Sequence, residues 1–443
     1  MTELMEHPTT LVFVHLSDLH FRESGSPLSE REQALRDRLL DDIPKVVALV
    51  AGEVEAILIT GDLARSGQRA EYQVARGWLD ELCARLGISH TKTLTCPGNH
   101  DVDWSRLDAG RLAINEALRT CKENLIDGRI DLLLKSEPDM VLAPLENYQE
   151  FAAGSACDIE KCLAWDLPPI PFSDGYALAI RGANTVLNSD RLDGEGTMAV
   201  QTNQMIVRRE PDLVRMLLLH HSPAFWRRPK PGPAQFDQNL VLYGHTHTPD
   251  HKVSATCLEI TAGAIHPEEQ EDFAIPSYNV IEISIEEEGE LAYARVRVFH
   301  REFSREHNAF IETDGSPDID ERVEILHATR PKAEDEFGTT RTMATADASA
   351  TVRPESLEMN LEAETQPPLK TETGQPDPSR LVRSAFERLG AGDRLRLLDR
   401  VNIPRADISG LPPHRQIREV ARRVVEDGLV EQFLTAASEI GGH

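Results

Sequence analysis

Five short apolar runs, Leu11 to Leu16, Ala56 to Thr60, Lys92 to Cys96, Met216 to Leu219 and Leu240 to Tyr243, are each cut off by polar residues. They are too short for helices and predict buried strands. Between the first three, apolar positions in 30–51 and in Glu71 to Leu86 recur at helical spacing, so this part of the chain reads as strand-helix-strand units. From about 104 to 170 the period stays helical, through Leu112, Ile114, Leu118, Leu125, Ile130 to Leu134 and Tyr148 to Phe151, which predicts a helical insertion. Strands resume at Tyr176 to Leu187. The alternating segments Ala255 to Ile260, Ser277 to Ile285 and Leu291 to Arg301 predict antiparallel strands that finish a second sheet. The expected fold is α/β: two mixed sheets face to face with helices outside, a four-layer α/β/β/α sandwich occupying residues 1–328.

Two further segments follow. Residues 329–378 are rich in Thr, Ala, Glu and Pro with few large apolar residues, as in a flexible linker. Residues 379–443 regain helical periodicity at Leu381, Val382, Phe386 and Leu389, at Leu395, Leu397 and Leu398, at Val420, Val424 and Val425, and at Leu429, Phe433 and Leu434, with Gly428 placed to end a helix. That pattern predicts a small all-α bundle, and its tether argues for a protein-interaction or self-association module.

Composition narrows the functions. The net charge is −27 over 443 residues, which disfavours non-specific binding to a nucleic-acid backbone and makes duplex nucleic acid a poorer partner than a small phosphate ester. The last 64 residues differ, with eleven Arg against nine acidic residues. Six cysteines are scattered without a C-x-x-C spacing, as in a reducing compartment, and no run is long enough to span a membrane. The chain is expected to be cytoplasmic, without a membrane partner.

The chemistry sits where the apolar runs stop. Ser17-Asp18-Leu19-His20, Gly61-Asp62-Leu63, Gly98-Asn99-His100-Asp101, His220-His221 and Gly244-His245-Thr246-His247 each follow one run directly. Carboxylate, amide oxygen and imidazole together suit divalent ions such as Mn, Fe, Zn, Co or Ni, and we favour manganese. A phosphodiester is anionic and repels hydroxide, so its hydrolysis needs charge neutralisation, a nucleophile at neutral pH and a stabilised leaving oxygen; two metals roughly 3.5–4 Å apart supply all three. Adjacent strand residues point to opposite faces, so one of His220 and His221 is expected to face the metals.

The order D-x-H, G-D, G-N-H-[DE], H and G-H-x-H resembles that of the calcineurin-like metallophosphoesterases over about residues 10–300, nearest to the bacterial cyclic-nucleotide and glycerophosphodiester phosphodiesterases. The resemblance implies a metal-dependent phosphodiesterase with two divalent ions. It makes Asp62 the bridging ligand, gives Asp18, His20 and His247 to one metal, and gives Asn99, His220 and His245 to the other. A hydroxide shared by the metals would attack phosphorus. His100 would contact the phosphate and protonate the leaving oxygen, with Asp101 orienting its imidazole. The insertion 104–170 would cap the site, and Gly194 to Met205 would lead into a helix. In the tail, "VARRVVEDGLVEQFLTAAS" resembles the effector-associated, death-like adaptor domains, which implies recruitment through like-with-like pairing. The alternatives are a metal-dependent nuclease and a non-catalytic scaffold or adaptor built on the same fold.

Overall fold

Strand β1 (Thr10–Leu16) starts the first sheet, and its parallel neighbours are β2 (Val54–Ile59) and β3 (Thr93–Thr95). Two helices make the crossovers expected of parallel strands: α1 (Pro27–Val47) and α2 (Arg69–Leu86). Helix α2 shows why the sequence stops and starts there. The Glu71 carboxylate accepts the Gln68 backbone N–H at 3.1 Å at its start. At its end, Gly87 takes a left-handed φ of 70° and Ile88 N–H closes on the Cys83 carbonyl. Its buried face, Tyr72, Ala75, Trp78, Leu79 and Leu82, repeats at three and four residues.

These are the findings of a computed structural model, which describes residues 8–25, 27–50, 52–159, 163–173, 175–227, 238–266, 275–311 and 317–327, with short stretches between 382 and 441. The insertion is largely helical as expected, with α3 (Ala109–Thr120), α4 (Ile126–Ser136), α5 (Pro138–Leu142) and α6 (Glu146–Ala152). It ends earlier than expected, however, because β4 (Ala164–Asp166) and β5 (Ile170–Phe172) already pair with β6 (Tyr176–Ala183). Strands of three residues are too short to show a period.

The second sheet has the order β4, β6, β7 (Leu213–Leu218), β8 (Leu240–Tyr243), β10 (Leu258–Thr261), β9 (Asp250–Val253). Strands β6, β7, β8 and β10 are parallel. The expected antiparallel ending is therefore corrected at two points. Strand β10 runs parallel to β8, and β11 (Ser277–Glu288) and β12 (Leu291–Ser304) pair antiparallel on the β1 side of the first sheet rather than completing the second. Alternation reports which face is buried, not which sheet a strand joins. Strands β13 (Ala309–Ile311) and β14 (Ile319–Ile325) both pair with β12.

The second sheet is apolar on both faces, which explains its continuous hydrophobic runs. Val214, Met216, Leu218, Leu240 and Leu242 join the main core with Phe13, Val14, Ile57 and Ile281 of the first sheet. The alternate residues Leu217, Leu219, Val241 and Tyr243 face a second cluster with Met198, Val200, Val207 and Trp226. Where Gly194 to Met205 was expected to lead into a helix, the described residues hold only a 3-10 turn, Thr202–Met205.

The chain divides into two units, Met1–Pro331 and Lys332–His443. In the second, the helix Val430–Gly441 is described, and Val382, Leu397, Leu398, Val401, Val420, Val424 and Phe433 form a buried cluster of their own. The expected linker 329–378 and Gly428 lie outside the described residues. No helix among the described residues is long and apolar enough to cross a membrane.

Candidate metal centre

Parallel strands present their C-terminal ends at one edge, and β1, β2, β3, β7 and β8 bring all five motifs there. The chain leaves extended geometry abruptly at that edge. Asp18, His20, Asp62, His245 and His247 have φ of 53°, 45°, 53°, 70° and 57°, in the left-handed region that costs non-glycine residues energy. The neighbouring glycines leave room for this. A Cβ on Gly98 would lie 2.1 Å from Asp62 Oδ1, and one on Gly61 would lie 2.3 Å from His220 Nδ1.

Each central carboxylate is held by one oxygen and presents the other. Asp62 Oδ1 accepts the His100 N–H at 2.7 Å, and Asp18 Oδ2 accepts the His245 N–H at 3.2 Å. Their remaining oxygens face imidazoles. Asp18 Oδ1 is 3.1 Å from His247 Nε2, Asp62 Oδ2 is 3.5 Å from His220 Nε2, and His20 Nε2 lies 4.0 Å from both. His20 is 2% exposed, yet neither ring nitrogen has a hydrogen-bond partner, an expensive arrangement for a buried polar ring.

His220 shows what the donors are arranged for. Its Nδ1–H donates to the Thr60 carbonyl at 2.8 Å, which fixes the tautomer and leaves a lone pair on Nε2. That lone pair faces Asn99 Oδ1 at 2.9 Å. With the amide oxygen turned inward, these two acceptors are positioned to share a cation. Three-donor groups whose ligand atoms lie within 4.8 Å of one another are Asp18, His20 and His247; Asp18, Asp62 and His220; His20, Asp62 and His100; and His220, His221 and His245. The donors therefore fit divalent ions. Strand alternation does not decide between His220 and His221, because β7 ends at Leu218 and the two histidines lie beyond the pleat, with ring centroids 4.8 Å apart. His221 Nδ1 meets Thr185 Oγ1 at 3.2 Å, and its buried Nε2 has no hydrogen-bond partner.

The electrostatics agree. Burial lowers His20 and His221 well below the usual imidazole range, His220 to about 4 and His245 to about 3, so all four are neutral and able to donate a lone pair. Burial, with the charges of Asp18 and Asp101 beside it, raises Asp62 well above the carboxylate range. Burial also pushes Asp18 up, but His247 foremost, with His220 and His20, outweighs it and holds Asp18 low. A divalent cation between the two carboxylates would remove the cost of ionising Asp62.

His100 and Asp101 part company. The Asp101 carboxylate accepts the Gly98 N–H and the Tyr72 hydroxyl, each at 2.9 Å, with Ala64 N–H at 2.9 Å and Leu63 N–H at 3.3 Å. Asp101 therefore braces the loops that carry Asp62 and Asn99 and does not orient the His100 ring. The Arg65 carbonyl does so, accepting from His100 Nδ1 at 2.9 Å, with the Arg65 guanidinium 3.4 Å from the same nitrogen. Nothing in the motif spacing marks Arg65. His15, inside β1, is buried and bonded to Thr60 Oγ1 at 3.0 Å, a packed histidine as expected.

The family model for calcineurin-like phosphoesterases matches residues 11–249, more than half of the chain and all five motifs. The chain belongs to the calcineurin-like phosphoesterase family. Solved structures with a similar fold include a predicted phosphoesterase of Streptococcus pneumoniae TIGR4, at 11% identity over 71% of this chain and 98% of that one, TM-score 0.26. GAP50, an inner-membrane-complex anchor of Plasmodium, matches at 12% identity over 72% and 89%, TM-score 0.35. Zinc-complexed Vps29 of Entamoeba histolytica matches at 12% over 71% and 98%, TM-score 0.26. No curated protein matches the sequence. In this calcineurin-like phosphoesterase the family's motifs are complete, and their side chains converge at one strand edge.

Proposed function

We propose that this protein is a dimetal-dependent phosphodiesterase acting on a small phosphodiester or nucleotide. The observation that carries the proposal is the set of inward donor atoms: Asp62 Oδ2 faces the neutral His220 imidazole at 3.5 Å, His220 Nε2 faces Asn99 Oδ1 at 2.9 Å, Asp18 Oδ1 lies 3.1 Å from His247 Nε2, and neither buried ring nitrogen of His20 has a hydrogen-bond partner. Bound there, two divalent ions would supply charge neutralisation at phosphorus and an activated water. Asp18, His20 and His247 would hold one ion, Asn99, His220 and His245 the other, and Asp62 both. With Nδ1–H on the Arg65 carbonyl, the imidazolium form of His100 would carry its second proton on Nε2 and give that proton to the departing oxygen. Asp101 keeps the Asp62 and Asn99 loops in register.

Hydrolysis of bis-p-nitrophenyl phosphate by the full chain, with and without chelator and added manganese, tests this directly. Metal-dependent turnover supports the proposal. No turnover under any metal would overturn it and favour a scaffold. A panel of cyclic nucleotides, glycerophosphodiesters and DNA then separates a small-diester enzyme from a nuclease. We also propose that residues 379–443 recruit a protein partner or a second copy, supported by the apolar cluster of their own. A chain ending near residue 328 should keep its turnover and lose that association.

A further inference from the structure

Beyond His100, a cavity of about 460 Å³ opens between the loops after β1 and β2 and the start of the insertion, within the size range of small-molecule sites. Arg22, Glu23, Arg65, Glu71, His100 and Trp104 line it. We propose that this cavity receives the leaving alcohol of the substrate and that this alcohol is a nucleoside, its base stacked on Trp104. The proposal rests on the phosphodiesterase assignment for one point: the leaving group must lie on the side of the acid, His100.

Four tryptophans occur in the chain, and Trp78, Trp165 and Trp226 are 5%, 4% and 6% exposed, whereas Trp104 is 40% exposed. Trp104 is the one tryptophan left open, and it stands on the rim of the cavity, where an indole can stack on a flat aromatic ligand. The platform is held in place. Asp103 Oδ1 accepts Gln68 Nε2 at 2.8 Å and Ser105 N–H at 3.0 Å, and Asp103 N–H reaches the Pro144 carbonyl at 2.8 Å. The loop bearing Arg65 and the turn Trp104–Arg106 are thereby fastened together, so stacking needs little ordering.

The charges select among alcohols. A choline head group would also stack on an indole, but Arg22 and Arg65 stand against Glu23 and Glu71 in the lining, so the cavity offers a cation no excess of acids. Glu71 accepts from Ser66 N–H at 2.9 Å, Ser66 Oγ at 2.8 Å and Gln68 N–H at 3.1 Å, and Arg22 is paired with Glu32 at 2.9 Å, so the lining carries no unbalanced charge and suits a neutral group. Glycerol has no face to stack. A neutral base beside a phosphoryl group fits both the indole and the guanidinium groups.

Calorimetric titration of the full chain with adenosine 5′-monophosphate, glycerol 3-phosphate and phosphocholine tests the cavity, with metal content measured on the same protein. Adenosine monophosphate should bind tightest. Trp104→Ala should weaken it by roughly tenfold or more, the scale of one base stacked on an aromatic ring. Trp104→Phe should recover most of that loss, and neither variant should change glycerol 3-phosphate binding. Equal affinity for the three probes, or tight nucleotide binding that Trp104→Ala leaves unchanged, would overturn the proposal. Either result in protein that holds its metals overturns the cavity alone, whereas protein that takes up no metal overturns the phosphodiesterase assignment and the cavity with it.

Discussion

Acids and histidines meet at both ends of the second sheet, with opposite outcomes. At the strand starts, Tyr176 donates to Glu287 at 2.7 Å, and His327 Nδ1 lies 2.7 Å from Asp212 and 3.1 Å from the Tyr176 hydroxyl. Each acid there has a donor. At the strand ends, Asp62 Oδ2 faces the neutral imidazoles of His20 and His220, His220 Nε2 also faces Asn99 Oδ1, and His20 has no hydrogen-bond partner on either ring nitrogen. Backbone strain does not separate the two clusters, because Asp212 also has a positive φ, 59°. Satisfaction does. A cluster that balances its own donors and acceptors is structural, whereas one that leaves lone pairs facing lone pairs is built for a cation.

The largest effect that sharpens this contrast is expected at His100. His100→Ala should lower turnover by roughly 10²–10⁴-fold while metal content holds, and the loss should be greatest for poor leaving groups. Equal loss for good and poor leaving groups would remove His100 from the acid role. Asp101→Ala comes next. It strands three backbone donors and the Tyr72 hydroxyl in the interior, so denaturant melts should show a loss of about 2–4 kcal/mol, with activity falling as the loops loosen.

His15 gives a smaller, pH-dependent effect. Burial holds it at about 3 against the pull of Asp18, compared with 6.5 in the unfolded chain. Below 6.5 the unfolded state therefore takes up a proton that the fold refuses, and stability falls as pH drops. His15→Gln removes that slope. Relative to the parent, the variant should gain up to about 2 kcal/mol between pH 6.5 and 5, read from chelator-treated protein. The smallest change belongs to the satisfied cluster, where Asp212→Asn should cost about 1 kcal/mol of stability and no metal. Loss of metal from that variant would break the contrast.

Much of the site was legible because strand ends announce themselves. An apolar run stopping at Asp-Leu-His or Gly-Asn-His-Asp places those residues at one edge whatever the rest of the fold does. The fold's two mixed sheets were equally readable, whereas the membership of β11 and β12 was not, since pairing partners are set by tertiary packing and not by alternation. Which of His220 and His221 faces the metals was not legible, because the two-residue period does not carry past Leu218, where the strand has already ended. Arg65 and Trp104 carry no motif. They matter only because Gly67, Gln68 and Asp103 bring two loops together, a long-range contact that local spacing does not encode.

The most direct measurement is the metal content of the purified full chain beside that of Asp62→Asn, by elemental analysis after loading with manganese and removal of excess. The centre as described predicts close to two divalent ions per chain in the parent, and in the variant a loss of metal together with a loss of diester hydrolysis of roughly 10²–10³-fold or more, the scale of one removed electrostatic group. A parent that retains no divalent metal, or an Asp62→Asn protein that keeps both ions and full activity, would contradict it.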